Sequence, residues 1–267
     1  MPAKLTPLEI YKILPQTNCS RCLLPACLAF ATAVVLGKKR LSDCPFLDEA
    51  TIRQLNKSLL DTRAEEPDQA AFIDRLEEKI SRLDLHKRAP VIDGHYQDGR
   101  LSINSLGKAF HVDGSGKVTS ECHIISWVTA PLLSYITHET HTGISGNWIS
   151  FRELNGGMEW QNLFTSRCEE VLRKLADENP DLLNDLIDLF MGKPIDIFQA
   201  DIALILHPLP HIPILICYQG ADEDLGSELT IFFDECCSTN LHIKSIFTLC
   251  SGIVQMFAKI AEHHSCQ

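Results

Sequence analysis

The sequence predicts an α+β protein: a small, mostly helical, cysteine-bearing module followed by a larger domain of antiparallel sheet packed with helices. Three observations carry that expectation. Cys19, Cys22, Cys27 and Cys44 crowd the amino-terminal segment in a C-x2-C-x4-C-x16-C array, glycines punctuate short alternating runs past Pro90, and stretches of helical apolar spacing flank those runs. The 267 residues suit one ordinary domain plus a small module, and a hydrophobic content of 45% is ample for a core.

Thr6-Pro7-Leu8-Glu9 reads as a helix start, with Thr6 as N-cap, Pro7 in the first helical position and Glu9 closing a capping box; that helix should end near Leu14-Pro15. Cys19 and Cys22 then fall on a turn around Asn18 and Ser20. Pro25 opens a second helix from Ala26 to Leu36, stopped by Gly37, with Cys27 in its first turn. There the unpaired N–H groups and the positive dipole end favour the negative charge of thiolates and sulfides. Lys38, Lys39 and Arg40 suit the opposite end, and Asp43-Cys44-Pro45 brings back the last cysteine.

A [4Fe-4S] cube needs four thiolates arriving from different directions, which one loop and a returning segment supply. A tetrahedral zinc accepts the same four donors, but zinc usually shows two tight pairs, and sixteen residues separate Cys27 from Cys44. Free or disulfide-bonded thiols are the third reading. The start, Met1 to Thr6, has no apolar leader, so a reducing, cytoplasmic setting is expected.

The first domain boundary is expected after Leu47, giving a module over 1–47, a linker over 48–67 broken at Glu65-Glu66-Pro67-Asp68, and an α+β domain over 68–267. Ala71, Phe72, Leu76, Ile80 and Leu83 recur at helical spacing to about Leu85. Asp98-Gly99 and glycines 107, 114 and 116 then divide runs such as Arg100 to Asn104 and Lys108 to Val112, the pattern of a meander. Helix is expected over Ile124 to Thr137, followed by a glycine-rich loop and helices over Glu159 to Ala176 and Pro180 to Met191. Ala203 to Leu206, Ile212 to Tyr218 and Glu228 to Phe233 read as strands, and Ile243 to Ala261 as a closing helix.

Charge is divided unevenly. Residues 1–47 hold six basic and two acidic side chains, or +4, and the remainder holds eighteen against thirty-three, or −15. An acidic body argues against nucleic acid and anionic membrane as partners, while a basic cap can orient a redox partner. The longest smooth apolar run, Leu28 to Leu36, is nine residues, and Ile202 to Cys217 is broken by prolines and histidines, so no membrane span is predicted.

Thr17-Asn18-Cys19, Cys22, Cys27-Leu28-Ala29-Phe30-Ala31 and Asp43-Cys44-Pro45, with Leu5 to Lys12 ahead of them, resemble the amino-terminal module of the large subunit of corrinoid iron-sulfur proteins. A similar module occurs in the electron-transporting Rnf complex. The resemblance implies a low-potential [4Fe-4S] cluster on Cys19, Cys22, Cys27 and Cys44. One position departs from the family pattern: the usual glycine after the second cysteine is Leu23. Farther on, Gly143 to Leu154 with Gly156-Gly157, His207-Pro208-Leu209-Pro210-His211-Ile212-Pro213 and Phe233-Asp234 resemble the domain of unknown function 3786, found in anaerobes, commonly behind this same module.

Within the second domain, Trp148, Phe151 and Arg152 among glycines 143, 146, 156 and 157 form one candidate cofactor pocket, a flat apolar wall with a cation; a structural turn is the other reading. His207 and His211 are a second candidate, although Pro208 and Pro210 forbid the helix that would aim both rings at one ion. One histidine of this pair, or of His138 and His141, is a candidate axial ligand for a macrocycle metal. His138-Glu139-Thr140-His141 lacks one residue of H-E-x-x-H. Cys236-Cys237 is either a redox-active vicinal pair or two core thiols.

No catalytic triad, phosphate loop or dinucleotide fingerprint is present. Three functions follow: an electron carrier of anaerobic metabolism delivering low-potential electrons to a corrinoid (cobalamin) bound by the second domain or by a partner protein, an adaptor or maturation factor with a structural cluster, or an enzyme using the Trp148–Arg152 pocket. The corrinoid reading rests on the resemblance.

Overall fold

The computed structural model describes residues 7–35, 39, 41–48, 51–52, 67–122, 124–179, 181–198, 200–222 and 225–264. The expected N-cap Thr6, the stop at Leu36-Gly37, the cations Lys38 and Arg40, the break at Glu65-Glu66, and Cys266 lie outside these residues. The chain divides into two units, 1–71 and 72–267.

In the first unit, α1 (Pro7–Ile13) starts at the expected proline, and α2 (Cys27–Val35) opens at the third cysteine. A single 3-10 turn, Leu41–Asp43, precedes Cys44. Cys27, Phe30, Ala31 and Val34 repeat at helical spacing and form the buried stripe of α2, closed by Ile10, Leu14, Leu41 and Cys44. Burying a side chain such as Phe30 stabilises by about 1.5–3 kcal/mol, and two helices this short need it, since neither would persist alone in water.

The second unit begins in α3 (Pro67–Ser81). Its inward face is Ile73, Leu76 and Ile80; the expected Phe72 and Leu83 are exposed, so the buried stripe is rotated from the predicted one. The short α4 (Leu85–Arg88) follows, capped by the Asp84 side chain. The meander is present as β1 (His95–Gln97), β2 (Arg100–Ser105), β3 (Lys108–Asp113) and β4 (Val118–Ser120), paired in chain order and antiparallel. Asp98-Gly99 and Leu106-Gly107 are its first two turns, all four residues having positive φ, the geometry that matches the twist of the flanking strands.

Next come α5 (Ser126–Thr137), the loop 138–147 and the short strand β5 (Trp148–Ser150). The first of the two expected helices is a composite: α6 (Gln161–Phe164), a π turn over Thr165–Glu169 and α7 (Glu170–Glu178). After α8 (Leu182–Leu189) the chain forms β6 (Lys193–Pro194), β7 (Ile202–Leu209), β8 (Ile212–Gln219) and β9 (Glu228–Asp234). With β5 they make a second sheet of order β5-β9-β8-β7-β6. The central strand β8 is buried from Ile212 to Cys217, as a strand covered on both faces must be. Strand β7 runs past Pro208 because the pairing shifts between Leu206 and Leu209.

The short α9 (Cys237–Asn240) and the long α10 (Ile243–His264) complete the unit. Residues Ile243–Glu262 are long and apolar enough to cross a membrane, yet 56% of the apolar window is buried inside the protein, with Ile253, Val254 and Phe257 in the main core. This is the profile of a central core helix. Helix α10 approaches α5 at Gly252, where an added Cβ would lie 2.2 Å from the Trp127 ring.

Candidate metal centre and second-domain sites

The loop 14–26 that carries the first two cysteines bends through four left-handed residues, Gln16, Asn18, Ser20 and Leu23. None is glycine, so each backbone costs something; asparagine tolerates the conformation best because its short side chain bonds locally. Asn18 uses that capacity at a distance: its Oδ1 accepts the Cys27 backbone N–H at 2.8 Å, tying the cysteine loop to the first residue of α2. The Leu23 N–H donates to the Ser20 carbonyl at 2.9 Å and closes the turn around Cys22. Leu23 has φ +63° and is 85% exposed, so the departure from glycine leaves a left-handed leucine on the surface.

These bends place all four cysteines on one cavity, with about 300 Å³ of free space that includes open solvent, walled by Leu14, Pro15, Leu24, Phe30 and Pro45. Cys27 and Cys44 are buried, Cys22 is half-buried and Cys19 is exposed. The Cys19 thiol is pushed below its ordinary value, first by the Arg21 backbone N–H and further by the Thr17 side chain, which favours the thiolate a metal takes. Among the described residues no three His, Cys, Asp or Glu groups stand at the spacing of a single ion. Four sulfurs lining one shared space are the kind of donor set that a [4Fe-4S] cluster takes. Arg21 lies over the half-exposed ring of Phe46, 5.4 Å from its centroid.

The second-domain candidates are placed differently. Phe151 is fully buried in the main core, stacked on Phe164 at 4.0 Å between centroids. Trp148 belongs to a separate apolar cluster with Phe232 and Leu215, and Arg152 is exposed. The three side chains therefore do not form one wall. Gly157 does not serve to admit a ligand: a Cβ on it would lie 1.9 Å from the Phe151 carbonyl oxygen, so this glycine is needed for the chain to turn against itself, whereas Gly143 and Gly146 face open space. The loop is held from below by Asp234, fully buried, whose carboxylate accepts from Ser145 N and Oγ, Gly146 N and Cys236 N at 2.6–3.0 Å. Burial pushes the Asp234 carboxyl up, but these donors together outweigh it and hold the group below its ordinary value.

His207 lies in β7, where its carbonyl accepts the Leu106 N–H at 3.0 Å and links the two sheets; burial, then Lys193, lowers its imidazole. His211 sits in the β7–β8 turn, and the ring near it is His141, 6.5 Å away between centroids. His242, His138, His141 and His211 form a line of neighbouring rings, with His141 edge-on to Tyr135, that sequence spacing alone did not group. Cys236 and Cys237 are buried, and burial pushes the Cys237 thiol well up, so that thiol is protonated core packing.

Comparison with known families identifies the larger domain. The model of the Domain of unknown function (DUF3786) matches residues 84–256, more than half of the chain. The chain belongs to the DUF3786 family. Ahead of the DUF3786 domain, the family model "Putative Fe-S cluster" matches residues 14–46, the segment that holds all four cysteines. Over 61 residues the chain is 36% identical to the acetyl-CoA decarbonylase/synthase complex subunit gamma of Methanocaldococcus jannaschii, covering 23% of this chain and 12% of that one. Over 52 residues it is 48% identical to the corrinoid/iron-sulfur protein large subunit of Moorella thermoacetica, covering 20% and 12%. The chain thus spans about a tenth of the length of these curated relatives. No solved structure matches it.

Proposed function

We propose that Cys19, Cys22, Cys27 and Cys44 ligate a [4Fe-4S] cluster, and that the protein passes low-potential electrons to a corrinoid held by the DUF3786 domain or by a partner protein in anaerobic one-carbon metabolism. The observation that carries this reading is the convergence of all four cysteines on one apolar-walled cavity with Cys19 at its solvent side. The matched relatives supply the acceptor class: one is named for its corrinoid and its iron-sulfur centre together, and its likeness to this chain is limited to a segment of that size.

When bound, the cluster supplies one-electron chemistry. The chain's own residues do the rest. Leu14, Leu24 and Phe30 exclude water from the inner side and so resist hydrolysis of the cluster, while the amino end of α2 places N–H dipoles toward negative charge. Exposed Cys19, Leu23 and Phe46 leave the outer side accessible, and the positive balance of residues 1–47 favours an acidic redox partner.

The test is anaerobic. Dithionite-reduced protein, freed of excess reductant, is mixed with cob(II)alamin and followed by visible spectroscopy. The bands of the cobalt(I) form should rise as the cluster is oxidised, and a Cys44→Ser variant should give no such change. If the wild-type cluster stays reduced and the cob(II)alamin spectrum is unaltered, electron delivery to cobalt is wrong and the adaptor reading replaces it.

A further inference from the structure

We propose that Arg21, Leu23 and Phe46 form the docking patch on which a small acidic electron-carrier protein reduces the cluster. The inference rests on the preceding reading for the cluster itself and adds the class of donor that supplies its electrons. One electron leaves the carrier's own centre and enters the cluster from its exposed Cys19 side, and no bond is made or broken.

Leu23 is the starting point. Of the four left-handed residues in the cysteine loop, Gln16, Asn18 and Ser20 are polar and Leu23 is apolar. At φ +63° a leucine is disfavoured against glycine by roughly 5- to 30-fold, and an 85% exposed side chain recovers none of this by burial within the unit. Covering a leucine side chain is favourable by roughly 10- to 150-fold, so a partner surface placed over it offsets the strain.

The three residues share the rim of the cysteine cavity. Arg21 and Leu23 flank Cys22, and Phe46 follows Pro45, both of which line that cavity. The Arg21 guanidinium lies 5.4 Å from the centroid of the half-exposed Phe46 ring. A guanidinium held against a ring keeps its N–H edge for a carboxylate, and among the described residues no carboxylate of this chain forms an ion pair with it. Aromatic rings and arginine are the side chains that protein interfaces favour. Because the cluster fills the space inside the rim, what meets the rim is a protein surface rather than a small ligand.

Charge selects the partner. The +4 of residues 1–47 stays positive when a cluster with its four thiolates, about −2 together, is counted. An acidic carrier is drawn to this unit and repelled by the −15 of the remaining residues, which steers it toward the exposed ligand.

Full-length protein with its cluster in place is mixed without oxygen in a stopped-flow instrument with an acidic plant-type [2Fe-2S] ferredoxin as probe, and electron exchange is followed in its downhill direction. The second-order rate constant should fall at least about tenfold between low and high salt. Arg21→Glu, Leu23→Asn and Phe46→Ser should each lower the low-salt rate by roughly 5- to 50-fold, with iron content and reduction by dithionite within about twofold of wild type. Arg100→Glu, the same charge change in the second unit, should alter the rate by less than about twofold. Wild-type rates in all three rim variants, a rate that rises with salt, or no exchange with the ferredoxin overturns the patch. Loss of iron from the variants overturns it too, since these residues would then hold the cluster. Capture of the wild type by anionic lipid vesicles that the variants escape makes the rim a lipid contact instead. A protein with the expected rate pattern that leaves cob(II)alamin unaltered refutes the corrinoid acceptor alone. One that reduces cob(II)alamin while all rim variants exchange equally with the ferredoxin refutes the docking patch alone.

Discussion

Asn18 is the residue whose replacement most sharply tests the architecture of the cysteine loop. It combines a left-handed backbone, φ +48°, with a side-chain acceptor 2.8 Å from the first N–H of α2. Asn18→Ala removes both supports: loss of a helix-capping acceptor costs about 1 kcal/mol, and a left-handed alanine adds about 1–2 kcal/mol. The sum, roughly 2–3 kcal/mol, corresponds to an about 30- to 140-fold larger population of the opened loop. Asn18→Gly loses the same hydrogen bond, about 1 kcal/mol, but takes the left-handed conformation freely. The assay is the rate at which an iron(II) chelator bleaches the cluster absorbance under anaerobic conditions. Alanine should accelerate bleaching by one to two orders of magnitude and glycine by only about fivefold. If alanine releases iron at the wild-type rate, or glycine is as fast as alanine, the coupling of Asn18 to Cys27 does not hold the loop.

Leu23→Gly should slow iron release modestly, because it relieves a left-handed leucine that is 85% exposed and buries little; the gain is about 0.5–1 kcal/mol, and faster release would show that this side chain packs against something. Gly252→Ala should lower the thermal midpoint by roughly 2–10 °C, since a Cβ 2.2 Å from the Trp127 ring overpacks the α5–α10 contact by more than the helix-propensity gain. A raised midpoint would refute that contact. Glu169 is pushed above the ordinary glutamate range by burial, against the bonds it accepts from Thr165 and Ile231. A raised folded value means the folded state binds more protons, so the stability this group contributes is lost as pH rises from the ordinary glutamate value through the raised one. Glu169→Gln should flatten that part of the denaturant-midpoint profile, and an unchanged slope would count against it.

Much of the first unit was legible because local chemistry decides it. Pro7 marked the start of α1, and Pro25 marked the opening of α2 with Cys27 in its first turn. The meander was equally readable from Asp98-Gly99 and Gly107, whose positive φ values are what the turn type requires. Longer-range effects were not. The phase of α3 was misjudged because Phe72 and Ile73 are adjacent apolar residues, and the tertiary core takes Ile73. Strands β5 and β6 are too short for an alternation signal, and the π turn at Thr165–Glu169 carries no simple pattern. Trp148 and Phe151 look like one wall in sequence, yet the step from β5 into a 3-10 turn sends them to different apolar clusters. The histidine chain was invisible for a related reason: topology brings His242 to His138 and His211 to His141, whereas the H-x3-H spacing of His207 and His211 drew attention to a pair that a bulged strand does not join.

Iron and acid-labile sulfide, counted per chain after oxygen-free purification together with the electron paramagnetic resonance of the reduced protein, test the cysteine centre most directly. About four of each and a reduced-cluster signal are expected, with both lost in Cys27→Ser and Cys44→Ser variants. Zinc bound with sulfur neighbours in place of iron, or iron retained by both serine variants, would contradict the assignment of the four cysteines.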